Sequence, residues 1–122
     1  QREHRPMKNL LRKWANATYY LSSKGISFID TGIDIQQTPN GLLGTTRFTL
    51  SECGNREAIN RNVSFAVAEK GLYESNIQTA ELNAFCAVTA VLRWKSVAGF
   101  YQNAYHMSNC VYNTIDGEFK WD

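Results

Sequence analysis

The sequence predicts a mixed α/β fold, in which a mixed or antiparallel sheet carries two main helices. A largely apolar stretch with helical spacing runs from about residue 76 to 99. Two segments rich in β-branched residues flank a turn at 38–41, and an Asp-Gly pair near the C-terminus marks a second hairpin. With 122 residues, the chain has the length of one domain or less.

The first helix is expected over residues 6–23. Pro6 suits a first helical turn, and Gly25 is placed to end the helix because glycine readily adopts the left-handed conformation. The residues at three- and four-residue spacing, which should share one face, are Met7, Leu10, Leu11, Trp14, Thr18 and Leu21.

A hairpin is expected next. The segments "ISFIDTGIDI" and "LGTTRFTL" are separated by "TPNG", where Pro39 sets the backbone angle and Asn40 and Gly41 tolerate positive φ. Residues 51–74 are mixed and polar, and they predict a long loop with a short strand at "VSFAV". Loops of this length in a compact domain are often functional.

The long second helix lies in "SNIQTAELNAFCAVTAVLRWKSVAGFY". Ser75 and Gln78 fit a capping box, so the helix should begin near Asn76 and end near Gly99. Its interior, "AFCAVTAVL", is apolar on nearly every side. Such a helix should contact protein on several sides, and four short strands offer too little surface to cover it.

Composition excludes several function classes. The chain has thirteen Lys and Arg residues and eleven Asp and Glu residues, so its net charge is small. This charge gives no basis for predicting a nucleic-acid partner or a membrane-surface partner. No apolar run reaches the length of a membrane span. The three cysteines form no CxxC pair, which predicts reduced thiols and a cytoplasmic location. The two histidines have no cysteine pair beside them, so no metal site is expected.

Three segments together resemble the second half of a ThiF/MoeB/HesA adenylyltransferase domain, of the bacterial ubiquitin-activating-enzyme-like type. They are "ISFIDTGIDI … GLLGTTRFTL", "NIQTAELNAFCAVTAVLRWKSVAGFY" and "YNTIDGEF". Family segments of the type "PFIDVG" are matched at Ile29, Asp30 and Gly32. Segments of the type "ELNALNAALAVIKWK" are matched at Glu81, Leu82, Asn83, Ala84, Ala87, Val88, Val91, Trp94 and Lys95. The resemblance covers roughly residues 20–120.

The resemblance implies a Rossmann-like domain of which residues 1–122 are one partial unit. In the family, the first half holds ATP and magnesium around a glycine-rich turn. This sequence contains neither GxGxxG nor GxxxxGK, so the nucleotide-binding half is expected to lie upstream. The whole enzyme would adenylate the C-terminal carboxylate of a ubiquitin-like or sulfur-carrier protein. This chain would supply surfaces for that partner and for a homodimer, and alone it should use no cofactor.

Cys53 is the candidate nucleophile, because it follows a strand in a polar loop and lies near Arg56, whose charge would favour the thiolate. The alternative is a bystander thiol, since the family's best-known cysteine falls near "KGLYESN", where this chain has none. Cys86 and Cys110 are expected to be structural.

Other candidates also have two interpretations. Asp30 and Asp34 could bind a ligand at a strand end or could be ordinary turn carboxylates, and Arg47 could meet a partner's tail or face solvent. Glu81 and Asn83 could contact another subunit or cap the helix, and His106 fits a loop. The aromatic set could form a protein-binding surface or pack on the sheet. Its members are Tyr101, Tyr105, Tyr112, Phe119 and Trp121.

Two further functions remain open at this point. The chain could be a complete, non-catalytic α+β binding module, which would fold as a monomer with no exposed apolar face. It could also be a dimerisation module that associates through the long helix, in which case its melting temperature would depend on concentration.

Overall fold

The computed structural model describes residues 5–64, 77–102 and 108–122. The helices are α1 (Arg5–Ser23), α2 (Glu57–Asn62) and α3 (Ala80–Val97), and the strands are β1 (Phe28–Thr38), β2 (Gly41–Ser51), β3 (Asn109–Asn113) and β4 (Phe119–Trp121). The strands form one sheet in the order β1-β2-β3-β4, and each neighbouring pair is antiparallel. The predicted combination of helices with an antiparallel sheet is therefore confirmed.

Helix α1 ends as its sequence predicts. Gly25 has a φ of 69°, its N–H bonds the Ser22 carbonyl at 3.1 Å, and the Ile26 N–H bonds the Leu21 carbonyl at 3.0 Å. This is a Schellman motif, which satisfies carbonyls of the last turn. On the predicted apolar face, Leu10 is 61% exposed, whereas Thr18 is buried. One turn further along, the Trp14 indole N–H donates to Asp30 of β1 and so joins α1 to the sheet.

The β1–β2 hairpin matches the prediction. The strands pair from Phe28 opposite Ser51 to Thr38 opposite Gly41, with the register unbroken and Pro39 and Asn40 in the turn. Successive side chains of each strand point to opposite faces of the hairpin. Ile33 and Thr46 face α3, whereas Asp30 lies on the side of α1.

The expected long loop after β2 contains a helix, so that prediction is wrong over α2. The Asn55 side chain accepts the Glu57 N–H at 3.0 Å, which starts the turn, and Ala58 and Ile59 are buried on the side of β2. Burial of two apolar residues outweighs the polar composition. The strand expected at "VSFAV" is not formed at Val63 and Ser64, and its remaining residues lie outside the described part.

Helix α3 begins at Ala80, later than the predicted start near Asn76. Thr79 is extended, with φ −123° and ψ 139°, and its carbonyl accepts the Asn83 N–H at 3.1 Å, so it is the N-terminal cap. Gln78 is not helical, and Ser75 lies outside the described residues. The C-terminal end agrees with prediction, because the helix stops at Val97 and Gly99 has a φ of 87°.

The C-terminal hairpin is present, but its turn is wider than the two residues expected at Asp116-Gly117. The last strand pair is Tyr112 with Phe119. Between them the Gly117 N–H bonds the Asn113 carbonyl at 2.9 Å, and the Asn113 side chain accepts the Ile115 N–H. These side-chain and main-chain bonds stabilise the longer loop.

The core lies between α3 and the sheet. Phe48, Cys86 and Cys110 are its buried members. Around them pack Ile33, Phe85 and Ala90. At Gly44, an added Cβ would lie 2.8 Å from a Leu82 methyl carbon, so this glycine lets the first turn of α3 approach β2 closely.

Candidate functional site

The outer surface of α3 exposes several apolar side chains. Leu82 and Cys86 are its buried residues. Residues on the opposite side are exposed at helical spacing, and we call them the α3 stripe: Ala84, Ala87, Val88, Val91 and Trp94. Val88 is 60% exposed and Val91 54%. A contiguous apolar surface of this kind marks an interaction site more often than an isolated exposed residue does.

A shallow apolar groove joins the α3 stripe to the first strand. It has a volume of about 350 Å³ and lies between the end of the α1–β1 connection and α3. Its lining residues are Ser27, Phe28, Ile29, Ala90, Val91 and Trp94. The groove is therefore continuous with the beginning of β1, whose outer edge has no partner among the described residues.

A second cavity, of about 320 Å³, lies between the C-terminal half of α3 and the sheet. Ile29, Phe48, Leu50 and Leu92 form much of its apolar wall. Polar groups also reach it, from Thr89, Arg93, Ser96, Gln102, Ser108 and Asn109. Cys110 lies in the same wall, and burial raises the pKa of its thiol to about 11, against the opposing influence of Arg93. This thiol is therefore a weak nucleophile at neutral pH.

The opposite face of the sheet carries a buried polar network. Arg47 donates from Nη2 to Asp30 Oδ2 at 2.8 Å and from Nη1 to Thr49 Oγ1 at 2.6 Å. Thr49 in turn donates to Asn109 Oδ1 at 2.7 Å, and the Trp14 indole N–H donates to Asp30 Oδ1. Three strands and α1 are thus joined by one chain of hydrogen bonds, and both charges of the ion pair are compensated.

Gly32 makes this network possible. It lies opposite Arg47 in the β1–β2 register, and an added Cβ would lie 2.8 Å from Nη2 of Arg47. The guanidinium therefore passes directly over the glycine to reach Asp30. A glycine inside a strand often marks such a close approach, and this is the signal that sequence reasoning could have used.

The two carboxylates predicted as candidates, Asp30 and Asp34, lie in different environments. Asp30 is buried within β1 and paired with Arg47, so it is not a turn carboxylate, and the solvent-facing interpretation of Arg47 is wrong. Asp34 is exposed and accepts a hydrogen bond from the Gln36 side chain at 3.1 Å. Glu81 and Asn83 are exposed on the first turn of α3, and His106 lies outside the described residues.

Cys53 is exposed, and its backbone adopts a φ of 48°. Its N–H bonds the Ser27 hydroxyl at 3.0 Å, and its sulfur lies 3.8 Å from the same oxygen. The guanidinium of Arg56 is directed at α1, where it donates to the Ser22 hydroxyl at 2.9 Å and lies 3.9 Å from the Tyr19 ring centroid. The cation expected to activate this thiol is thus engaged elsewhere, and Cys53 as a nucleophile stays a prediction.

The C-terminal aromatic residues pack on one another and on α3. Phe85 lies 4.6 Å from Tyr112 and 5.9 Å from Phe119 between ring centroids, and Phe119 stacks with Trp121 at 6.4 Å. Phe119 and Trp121 keep more than a third of their surface exposed. Phe119 and Trp121 therefore pack against other aromatic rings and also remain partly exposed. Tyr101 contacts Phe100, and Tyr105 lies outside the described residues.

Comparison with family models, with curated proteins and with solved structures returned no match. Within residues 5–64, 77–102 and 108–122, no group of three His, Cys, Asp or Glu side chains could hold a metal ion. No helix in that part of the chain has the length and apolar character needed to cross a bilayer.

Sequence reasoning located α3 and its apolar character but missed the groove and the polar network. Both depend on which strand lies beside which helix, and the sequence pattern does not encode this directly. Among the described residues, the α3 stripe, the groove and the outer edge of β1 lie next to one another on one surface. This continuous surface is the candidate functional site.

Proposed function

We propose that the chain is the C-terminal part of a Rossmann-like ThiF-type adenylyltransferase domain. The observation that carries the proposal is the α3 stripe. Ala84, Ala87, Val88, Val91 and Trp94, which are all exposed, are also residues that carry the resemblance to the family's "ELNALNAALAVIKWK" segment. A helix on which five of the nine matched positions are apolar and exposed fits a domain with a further part packed against it.

The antiparallel sheet is compatible with this role. By resemblance, the part that holds ATP and magnesium lies upstream, and this chain contributes the partner-binding end and dimer contacts. None of the groups described here forms a phosphate cradle. The described residues would therefore hold neither ATP nor magnesium alone, and the chemistry would require the upstream half.

The expected activity of the whole enzyme is acyl adenylation. The C-terminal carboxylate oxygen of a ubiquitin-like or sulfur-carrier protein attacks the α-phosphorus of ATP, and pyrophosphate leaves. The resulting acyl adenylate is then attacked by a thiol or another nucleophile. Cys53 is the exposed thiol of the described chain that remains available for such a role.

Pyrophosphate exchange into ATP tests the proposal. The 122-residue chain and a longer polypeptide that includes the coding sequence upstream of Gln1 are assayed with candidate ubiquitin-like proteins. We expect exchange by the longer polypeptide only, and we expect it to require the intact C-terminal carboxylate of the partner. Exchange by the 122-residue chain, or a longer polypeptide without a glycine-rich nucleotide turn, would refute the proposal.

A non-catalytic dimerisation module is the second candidate, because the α3 stripe could equally be covered by another copy. The dependence of the melting temperature on protein concentration distinguishes the two candidates. If the stripe mediates a homodimer, the melting temperature of the 122-residue chain rises with protein concentration, and Val88→Ser abolishes that dependence. A melting temperature that is independent of concentration argues against this alternative.

A further inference from the structure

The inner side of α3 changes chemistry halfway along the helix. In the N-terminal half, Leu82 and Cys86 are buried against the sheet. In the C-terminal half, Thr89, Arg93 and Ser96 follow at three- and four-residue spacing and line the cavity of about 320 Å³. Polar groups that leave water need partners. A charge and two hydroxyls directed into a cavity with an apolar floor therefore fit a ligand that has both polar and apolar parts.

The cavity has the size of a small-ligand site. Protein cores contain few voids larger than a water molecule, and an apolar cavity of about 150 Å³ holds benzene. The cavity beside α3 has roughly twice that volume. On this scale it takes about twice as many non-hydrogen atoms as benzene has, or about twelve. Leu92 in its wall is 48% exposed and Trp121 is 38% exposed, so a ligand can enter from solvent.

The floor of the cavity crosses all four strands. Ile29 belongs to β1, Leu50 to β2, Cys110 to β3 and Trp121 to β4. Neighbouring strands lie about 4.8 Å apart, so three such spacings give a floor that is about 14 Å long. Aliphatic side chains form the end of the floor at β1 and β2. A long, narrow alkyl chain suits this shape better than a compact ring does.

Arg93 supplies the charge of the cavity. Among the described residues that line it, Arg93 alone is charged at neutral pH. Its guanidinium lies 5.2 Å from the centroid of the Trp121 ring, at the β4 end of the floor, and its charge acts on the Cys110 thiol. Thr89, one turn earlier on the same side of α3, adds a hydroxyl. Because a guanidinium has five N–H donors, it can bind a carboxylate in addition to its other contacts.

We propose that this cavity binds a medium-chain fatty acid of about ten carbon atoms. The carboxylate accepts hydrogen bonds from Arg93 and Thr89, and the alkyl chain crosses the sheet to Ile29 and Leu50. No residue of the α3 stripe lines this site. Binding requires neither ATP nor the upstream half of the domain, so the site goes beyond the proposed function and can be tested without it.

An NMR titration of the 122-residue chain with decanoate tests the proposal. We expect saturable amide shifts that are largest at Leu50, Arg93 and Cys110, with a Kd on the order of 0.1 mM. Smaller shifts are expected at Val88, on the opposite side of α3. The proposal fails if the wall of the cavity shows no saturable shift up to about 5 mM decanoate. It also fails if the largest shifts fall on the α3 stripe.

Two series of analogues separate the chain from the head group. Octanoate should bind roughly 16-fold more weakly than decanoate, because each buried methylene changes the Kd about fourfold. Decyltrimethylammonium has the same chain length but the opposite charge, and it should bind at least about tenfold more weakly. The compact acid 2-naphthoate should also bind more weakly than decanoate. Tighter binding of 2-naphthoate or of the cation would overturn the assignment to a fatty acid.

A matched pair of charge variants on α3 locates the carboxylate. Arg93→Gln removes the cation of the cavity, whereas Lys95→Gln removes a cation from the same helix outside it, where Nζ lies 4.6 Å from the centroid of the Phe100 ring. We expect Arg93→Gln to weaken decanoate binding about tenfold and Lys95→Gln to leave it unchanged. Equal weakening by both variants would show a general effect of net charge and would contradict a contact with Arg93.

A variant that fills the cavity gives a readout that does not depend on charge. Ser96→Phe adds a ring at the wall, and Val88→Phe adds the same ring on the α3 stripe. Ser96→Phe should weaken decanoate binding at least about tenfold, and Val88→Phe should not change it. Circular dichroism and the melting temperature verify that both variants are folded. Unchanged binding by folded Ser96→Phe would place decanoate outside the cavity and overturn the proposal.

Discussion

The two faces of the sheet are stabilised by different chemistry. On the α1 face, a continuous network runs from Trp14 through Asp30, Arg47 and Thr49 to Asn109. On the α3 face, packing is mainly apolar, a cavity of about 320 Å³ remains, and one side of the helix stays exposed. The polar face is thus joined by hydrogen bonds among the described residues, whereas the helix on the apolar face keeps exposed apolar side chains.

The largest expected effect tests the polar face. Arg47→Met removes the partner of Asp30, whose side chain is 5% exposed, and leaves a buried carboxylate without its cation. We expect a loss of about 3–5 kcal/mol in the free energy of unfolding, measured by urea denaturation. The double variant Asp30→Asn with Arg47→Met keeps an acceptor for Trp14 and should recover much of the loss. A loss below about 1 kcal/mol for Arg47→Met would contradict the assigned role of the ion pair.

The next prediction compares two sides of α3. Leu82→Ala empties a position that is 7% exposed and should cost about 2–4 kcal/mol. Val88→Ala, at a position that is 60% exposed, should change the unfolding free energy of this chain by less than about 0.5 kcal/mol. Both are measured by chemical denaturation of the 122-residue chain. Similar costs at both positions would show that the α3 stripe is already covered in solution.

The sequence predicted local elements better than it predicted the site. The turn at Pro39 and the stop at Gly25 depend on backbone preferences of single residues, and the structure confirms both. The start of α3 was predicted wrongly because Thr79, not Ser75, caps the helix. A loop was expected where α2 forms, because burial of Ala58 and Ile59 overrides a polar local pattern. The groove depends on tertiary packing, because it brings Phe28 and Ile29 beside Val91 and Trp94, which lie far apart in the sequence, and no local pattern determines this.

Two threonines of β2 give a matched comparison of the faces. Both are fully buried, but the Thr49 hydroxyl is hydrogen-bonded on the α1 face, whereas the Thr46 hydroxyl, on the α3 face, has no hydrogen-bond partner among the described residues. Thr49→Val should cost about 1–3 kcal/mol, because Arg47 and Asn109 each lose a bond. Thr46→Val should be neutral or stabilise by up to about 1 kcal/mol, because it removes an uncompensated polar atom. The measurement is the difference between the two unfolding free energies, and the opposite order would contradict the contrast between the faces.

The smallest predicted effect is a pH dependence that belongs to the apolar face. Burial raises the pKa of Cys110 from 9.0 to about 11 in the folded chain. Between these values the unfolded chain loses the thiol proton while the folded chain retains it, so folding stability falls as pH rises. A pKa shift of this size lowers the free energy of unfolding by about 1.4 kcal/mol at pH 10 relative to pH 8. At pH 8 almost all of the stabilisation that comes from the raised pKa of the thiol is still present.

Other groups also titrate in this range, so the prediction concerns a difference between two proteins. Urea denaturation of the parent chain and of Cys110→Ala is compared at pH 8, 9 and 10. The unfolding free energies of the two proteins should converge as pH rises, because the variant has no thiol to titrate. The exposed Cys53 supplies the matched control, and Cys53→Ala should retain the slope of the parent. If Cys110→Ala keeps that slope as well, the thiol is not buried in solution, and the α3 face is more open than the packing of Phe48, Cys86 and Cys110 implies.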